Sequence, residues 1–187
     1  MQKVVTVLFL LLAVLFLATI GNGIVGYAIY DPQYTDLSHY PYPFIKNSGY
    51  NSLFIVVPEN PTLTEIEAAN NIAKSLQLTK PLPPQIIKPS QLKSKANLIL
   101  IGDACTNELI STFLKTNSCT LNLKPNQGLL KLLPGKTSVL IVSGYDLENL
   151  GKAANVLAHY GSFPLKENQV IIEGTSDNIY SLGLIYR

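Results

Sequence analysis

The chain has 187 residues, of which 47% are hydrophobic and only 14% charged, with a formal net charge of +2. That length supports one well-buried core plus appendages, and the charge content is low for a cytosolic protein. Lys3 is the only one of the 14 basic residues before Asp31, so 13 stand against 12 acidic residues thereafter, a balance that excludes general electrostatic attraction to nucleic acid.

The first thirty residues, MQKVVTVLFLLLAVLFLATIGNGIVGYAIY, hold one lysine and no other charge. As a helix, residues 4–20 would extend roughly 25 Å, short of a bilayer core, whereas continuation to residue 30 would reach roughly 40 Å and span with tilt. Residues 1–30 therefore read as a signal peptide or a transmembrane anchor. The apolar character that persists beyond the Gly21-Asn22-Gly23 break favours the anchor, and either reading places the remainder outside the cytoplasm. Residues 31–50 form a Tyr/Pro-rich stem. Six of the ten tyrosines fall within residues 27–50, and Pro32, Pro41 and Pro43 oppose a long regular element, so an extended segment lying on the domain is expected.

From residue 51 to 187 strand and helix patterns alternate. SLFIVV is a continuous apolar, β-rich run that ends at Pro58 and suits a strand buried on both faces. Thr62, three residues before Glu65, has capping-box spacing and opens a helix with Ile66, Ala69, Ile72, Ala73 and Leu76 along one face. The four prolines of TKPLPPQIIKPSQLKSKA leave room for only a short strand at residues 85–88, and Lys88, Lys93 and Lys95 form a basic cluster that reads as a solvated loop. NLILIGD is a second buried strand, followed by the helix TNELISTFLK. SVLIVSG is a third strand, leading into DLENLGKAANVLAHYG with Asp146 as N-cap and Gly161 past its end. NQVIIEG is the last expected strand, and SLGLIYR is left open as a possible edge strand. This order predicts an α/β fold, a Rossmann-like three-layer sandwich with a mostly parallel sheet and helices on both faces.

Ligands of such sheets sit outside the carboxyl ends of the strands. The side chains expected there are Glu59 and Asn60, Asp103 with Thr106, and Ser143 with Tyr145 and Asp146. GDACTN and SGYDLE each carry a single glycine, so neither is a dinucleotide or Walker loop. Asp103 and Asp146 have a simpler role as acceptors for the free N–H groups of the helices that follow. Ser143, His159 and Asp103 supply the residue types of a hydrolytic triad, but no nucleophile elbow surrounds Ser143. With His39 in the stem and His159 at a helix end, two Cys and two His do not make a metal-ligand set. No catalytic, cofactor or metal residue is assigned.

Cys105 and Cys119 are the only cysteines, separated by a helix and a loop in a chain with an export segment. A structural disulfide is the expectation, with free buried thiols and redox or metal chemistry as alternatives. The Cys-x-x-Cys spacing of a redox catalyst is absent, and nothing basic closely flanks Cys105.

Taken together, LSHYPYPFIKNSGYNSLFIVV, EIEAANNIAKSL, NLILIGDACTNEL, GLLKLL, SVLIVSGYDLENLGKAANVL and VIIEGT resemble the α/β module of archaeal surface-layer (S-layer) proteins over about residues 37–175. The specific elements are the Tyr-Pro-x-Pro-Phe segment at residues 40–44, the paired Cys105 and Cys119, and the Gly144-Tyr145 turn before the Ala-rich helix. Pro58 stands where the family's first strand ends in glycine, and Gly102-Asp103-Ala104-Cys105 where the second runs into Gly-Gly-Pro-Cys. The resemblance implies a cell-envelope structural or interaction module without cofactor, partnered by other envelope or S-layer proteins or by copies of itself, and held at the membrane through its N-terminal segment. The alternative from a different class is an exported ligand-binding or hydrolytic protein using a strand-end cleft near Asp103, Ser143 and Asp146.

Overall fold

The computed structural model describes residues 35–46, 49–50, 53–77, 83–174 and 182–186, all within one compact unit. The expected export segment, residues 1–30, lies outside them. Among the described residues no helix is long and apolar enough to cross a membrane.

Of the segment expected as an extended stem, the described residues 35–44 are instead folded into turns. A 3-10 turn at Leu37–His39 is capped by Asp36, whose carboxylate accepts from the Ser38 amide. Both Tyr40–Pro41 and Tyr42–Pro43 are cis peptides. Leu37, Tyr40 and Phe44 are buried, and the Leu37 amide donates to the Glu167 carbonyl at 2.8 Å. The segment does lie on the domain, but as turns that bury Leu37, Tyr40 and Phe44 in its main core rather than as an extended run. Strands β1 (Ile45–Lys46) and β2 (Gly49–Tyr50) then pair as a small antiparallel ladder.

The main sheet has seven strands. They are β3 (Leu53–Val56), β4 (Gln85–Ile87), β5 (Asn97–Ile101), β6 (Gln127–Leu133), β7 (Val139–Gly144), β8 (Gln169–Glu173) and β9 (Gly183–Tyr186), in the spatial order β4-β3-β5-β7-β6-β8-β9. Pairings β3–β4, β3–β5 and β5–β7 are parallel, as the strand-helix alternation requires. The other three are antiparallel, which makes the sheet mixed rather than mostly parallel. The cause is β6, a strand not anticipated among the elements, which joins β7 through the short connection 134–138 and inserts between β7 and β8. SLGLIYR supplies the edge strand β9, paired with β8.

Helices cover both faces. Helix α1 (Leu63–Gln77) and helix α3 (Leu147–Ala158) pack side by side over the face that carries Ile55, Ile99, Ile101, Leu140, Val142 and Leu130. Helix α2 (Glu108–Leu114) covers the opposite face, against Val56, Leu98, Leu100, Val139 and Ile141. Alternate residues of one strand thus enter different cores, the period of two that a strand imposes. Fully buried Ile72 and Leu76 anchor α1, each contributing about 2 kcal/mol relative to exposure. Ile66, expected on that face, is 40% exposed. Glu65 is buried in its stead, because the capping box turns its carboxylate back onto Thr62.

Close approach of α3 depends on two glycines. Gly128 and Gly144 are cross-strand partners on β6 and β7. A Cβ on Gly144 would lie 2.1 Å from the Leu150 nitrogen, and one on Gly128 would lie 2.6 Å from the Asn149 carbonyl oxygen. The pair forms a flat notch in which the first turn of α3 rests.

Candidate functional site

The strand order places a reversal between β3 and β5: the chain leaves β3 toward β4 on one side and then crosses to β5 on the other. In an open α/β sheet the crevice at such a point, beyond the carboxyl ends of the strands, is the usual ligand site. Here Asn107 fills it. The side chain is fully buried, and its Nδ2 donates to the Val56 carbonyl at 3.2 Å and to the Ile101 carbonyl at 2.9 Å, tying the ends of β3 and β5 together. Its Oδ1 accepts from the Leu109 amide and caps α2. One side chain thus satisfies three backbone groups at the point where the sheet reverses.

The neighbouring turn is equally crowded. Gly102 has φ +119, a conformation that favours glycine, and a Cβ there would meet Pro58, Glu65 and Thr106 side-chain atoms at 3.1 to 3.2 Å. Pro58 packs at the end of β3. Glu65 Oε2 accepts from the Thr62 amide at 2.7 Å and from its hydroxyl at 2.9 Å, while the Glu65 amide donates to Thr62 Oγ1 at 3.3 Å, the reciprocal pairing that the Thr-x-x-Glu spacing predicts.

The acidic groups expected at the strand ends are held by local partners. Asp103 Oδ1 accepts from the Cys105 amide at 2.7 Å and the Thr106 amide at 2.9 Å, and the Asp103 amide donates to Thr106 Oγ1. It closes the turn before α2, while the helix cap itself belongs to Asn107. Asp146 caps α3 as expected, accepting from the Asn149 amide at 2.9 Å and from Asn149 Nδ2 at 2.6 Å. Glu59 accepts from the Ser90 amide at 2.7 Å and from the Ser90 hydroxyl at 3.1 Å, which fastens the turn after β4. The Ser90 amide, followed by its hydroxyl, holds the Glu59 carboxyl below the usual carboxylate range. Asn60 is exposed, and Tyr145 is half-exposed with its amide bonded to the Gln127 carbonyl.

Ser143 is fully buried, and its Oγ has no hydrogen-bond partner among the described residues. Its place on β7 puts it on the face of Val139 and Ile141, whereas Asp146 caps α3 over the other face. His159 Nδ1 lies 2.9 Å from the Asn155 carbonyl at the end of α3, and His39 lies 3.3 Å from Asp36 in the first turn. No hydrogen bond joins Ser143, His159 and Asp103, so the described residues assemble no catalytic constellation from them. Among those residues no three His, Cys, Asp or Glu side chains gather closely enough to hold a metal ion.

Compared with known proteins, the chain matches no family model and no curated protein.

Cys105 and Cys119 lie at disulfide distance, with Cα atoms 5.0 Å apart. Both are exposed, and the bridge encloses α2 and the loop after it. Closing a loop with a separation of 14 residues contributes about 3 kcal/mol through the unfolded state. The same bridge removes the thiols that redox or metal chemistry would need.

Two functional-looking positions escaped sequence reasoning. Asn107 carried a signal, an Asn directly before the helical run ELIS, which is the N-cap preference; its reach across to β3 is a tertiary fact. The notch of Gly128 and Gly144 depended on β6, which had not been placed.

Proposed function

We propose that the chain is a structural or interaction module of the cell envelope, displayed outside the cytoplasmic membrane and similar to the α/β module of S-layer proteins. Its partners are other envelope proteins or copies of itself, and residues 1–30 supply the export signal or membrane attachment. The exposed Cys105–Cys119 bridge carries this reading, because such disulfides persist in oxidising compartments and are rare in the cytosol. The strand-end polar groups add support: Glu59, Asp103, Asn107 and Asp146 all serve the backbone. A buried Ser143 without a general base gives the hydrolytic alternative less to stand on.

The test is the intact mass of the protein isolated from its own envelope, before and after reduction and alkylation. Uptake of two alkyl groups only after reduction is the expected result, and alkylation without reduction would sink the reading. Asp103→Asn/Asp146→Asn separates the classes: a structural module still assembles, whereas loss of a ligand with the fold intact would favour the binding or hydrolytic protein.

A further inference from the structure

A second concave feature lies at the other end of the sheet, where β5 and β7 begin. It is a surface depression of about 360 Å³ on the α2 face. That volume falls at the lower end of the range for small-molecule sites. Its floor is apolar: Ala96 and Leu98 are buried members of the smaller core, with Leu92 beside them. Phe113 projects from α2 at its side and is 42% exposed, a large aromatic surface left in water. Exposed Lys93 and Lys95 belong to the lining, no carboxylate does, and neither lysine forms an ion pair with a described residue. The sequence suggested a solvated basic loop here, and solvation alone does not account for an apolar floor and a half-exposed phenyl ring in the same depression as two unpaired lysines.

We infer that this depression binds a small organic anion with a flat apolar body, of the aryl carboxylate or sulfonate class. The body lies against Phe113, Ala96 and Leu98, where its burial supplies most of the affinity. The anionic group faces Lys93 and Lys95. Because both lysines are exposed, each contributes modestly, and their effect weakens with added salt. This site is separate from the strand-end groups and from the envelope role proposed above.

The absence of tryptophan makes the test direct, since the fluorescence of a naphthalene probe is read without indole background. The full chain is titrated with 2-naphthoate and with its neutral counterpart 2-naphthalenemethanol. Saturable one-to-one binding of the acid is expected, with the alcohol roughly fivefold weaker, as two exposed charge contacts allow. Lys93→Gln/Lys95→Gln brings the acid down to the affinity of the alcohol and leaves the alcohol unchanged, so alcohol binding doubles as the control for folding. Phe113→Ala weakens both probes. Equal affinities for acid and alcohol, an unaltered acid affinity in the double lysine variant, loss of both probes in that variant, an unaltered affinity in Phe113→Ala, or uptake that never saturates would each overturn the inference.

Discussion

Asn107 offers the sharpest test of how the strand ends are closed. In Asn107→Ala the cap on α2 and both donors to the Val56 and Ile101 carbonyls disappear together. A lost cap costs about 1 kcal/mol, and each buried carbonyl left without its donor costs about 1 more, so the variant loses about 3 kcal/mol. That is a large share of the roughly 5 to 15 kcal/mol of a typical domain. Asn107→Asp is more discriminating, because it keeps the cap but points a carboxylate oxygen at two carbonyls. Burial there raises the pKa of the introduced carboxyl in the folded state above its unfolded value, so the folded state binds the proton more tightly. Stability of the variant then falls as pH rises from the ordinary carboxylate range toward the raised value. Against wild type, whose Asn107 does not titrate, the deficit should grow from about 1 kcal/mol at pH 4 to as much as about 4 kcal/mol at pH 7, the cost of holding a proton roughly three units above the usual pKa. Urea unfolding followed by circular dichroism at the two pH values, with the disulfide intact, measures both variants. A deficit in Asn107→Asp that stays flat between pH 4 and 7, or an Asn107→Ala variant within about 0.5 kcal/mol of wild type, would refute the assignment.

Replacing Cys105 and Cys119 by alanine, or reducing the wild type, should lower unfolding stability by about 3 kcal/mol, read as a shift of the urea midpoint. Gly144→Ala should cost at least about 3 kcal/mol, since its new methyl collides with α3 backbone; Gly161→Ala, with nothing within 4 Å, should stay within about 0.5 kcal/mol in the same assay. Carbon-13 titration of Glu59 should give a midpoint below that of an unstructured glutamate, because bonding to Ser90 favours the ionised form. The sign follows: its contribution is present above the unfolded pKa and is lost as pH falls through the lowered one, and Ser90→Ala, which removes the hydroxyl but keeps the backbone amide, should raise the midpoint only part of the way back.

Features written in local chemistry were legible from the chain. The runs LFIV, NLILI and VLIVSG announced buried strands, and Asp146 and the Thr62/Glu65 pair announced helix starts, because each signal is complete within a few residues. Legibility ended where partners are distant. β6 was not placed because Lys131 interrupts its leucines, and what settles the lysine is Gln169 on β8, 38 residues away. Ile66 was placed on the wrong side of α1 by periodicity alone, which does not register the inward pull of the capping box on Glu65. The reach of Asn107 was hidden for a similar reason: nothing in GDACTNELI says that its asparagine spans 51 residues to the Val56 carbonyl.

The turns around Tyr40 also set how the domain would carry load. Leu37 is bonded to the Glu167 carbonyl, Tyr40 stacks edge-on against Tyr160 at 5.0 Å, and the Pro43 carbonyl accepts from Asn97 Nδ2 at the start of β5. Tension arriving from the N-terminal side therefore meets three fastenings to three distant parts of the chain before it reaches β3. They are met in the order Leu37, Tyr40, Pro43, and Leu37 and Tyr40 are also members of the main core. A pull applied at Asp36 would therefore load side-chain and backbone contacts to the far half of the chain before it loaded β3, the first strand of the main sheet.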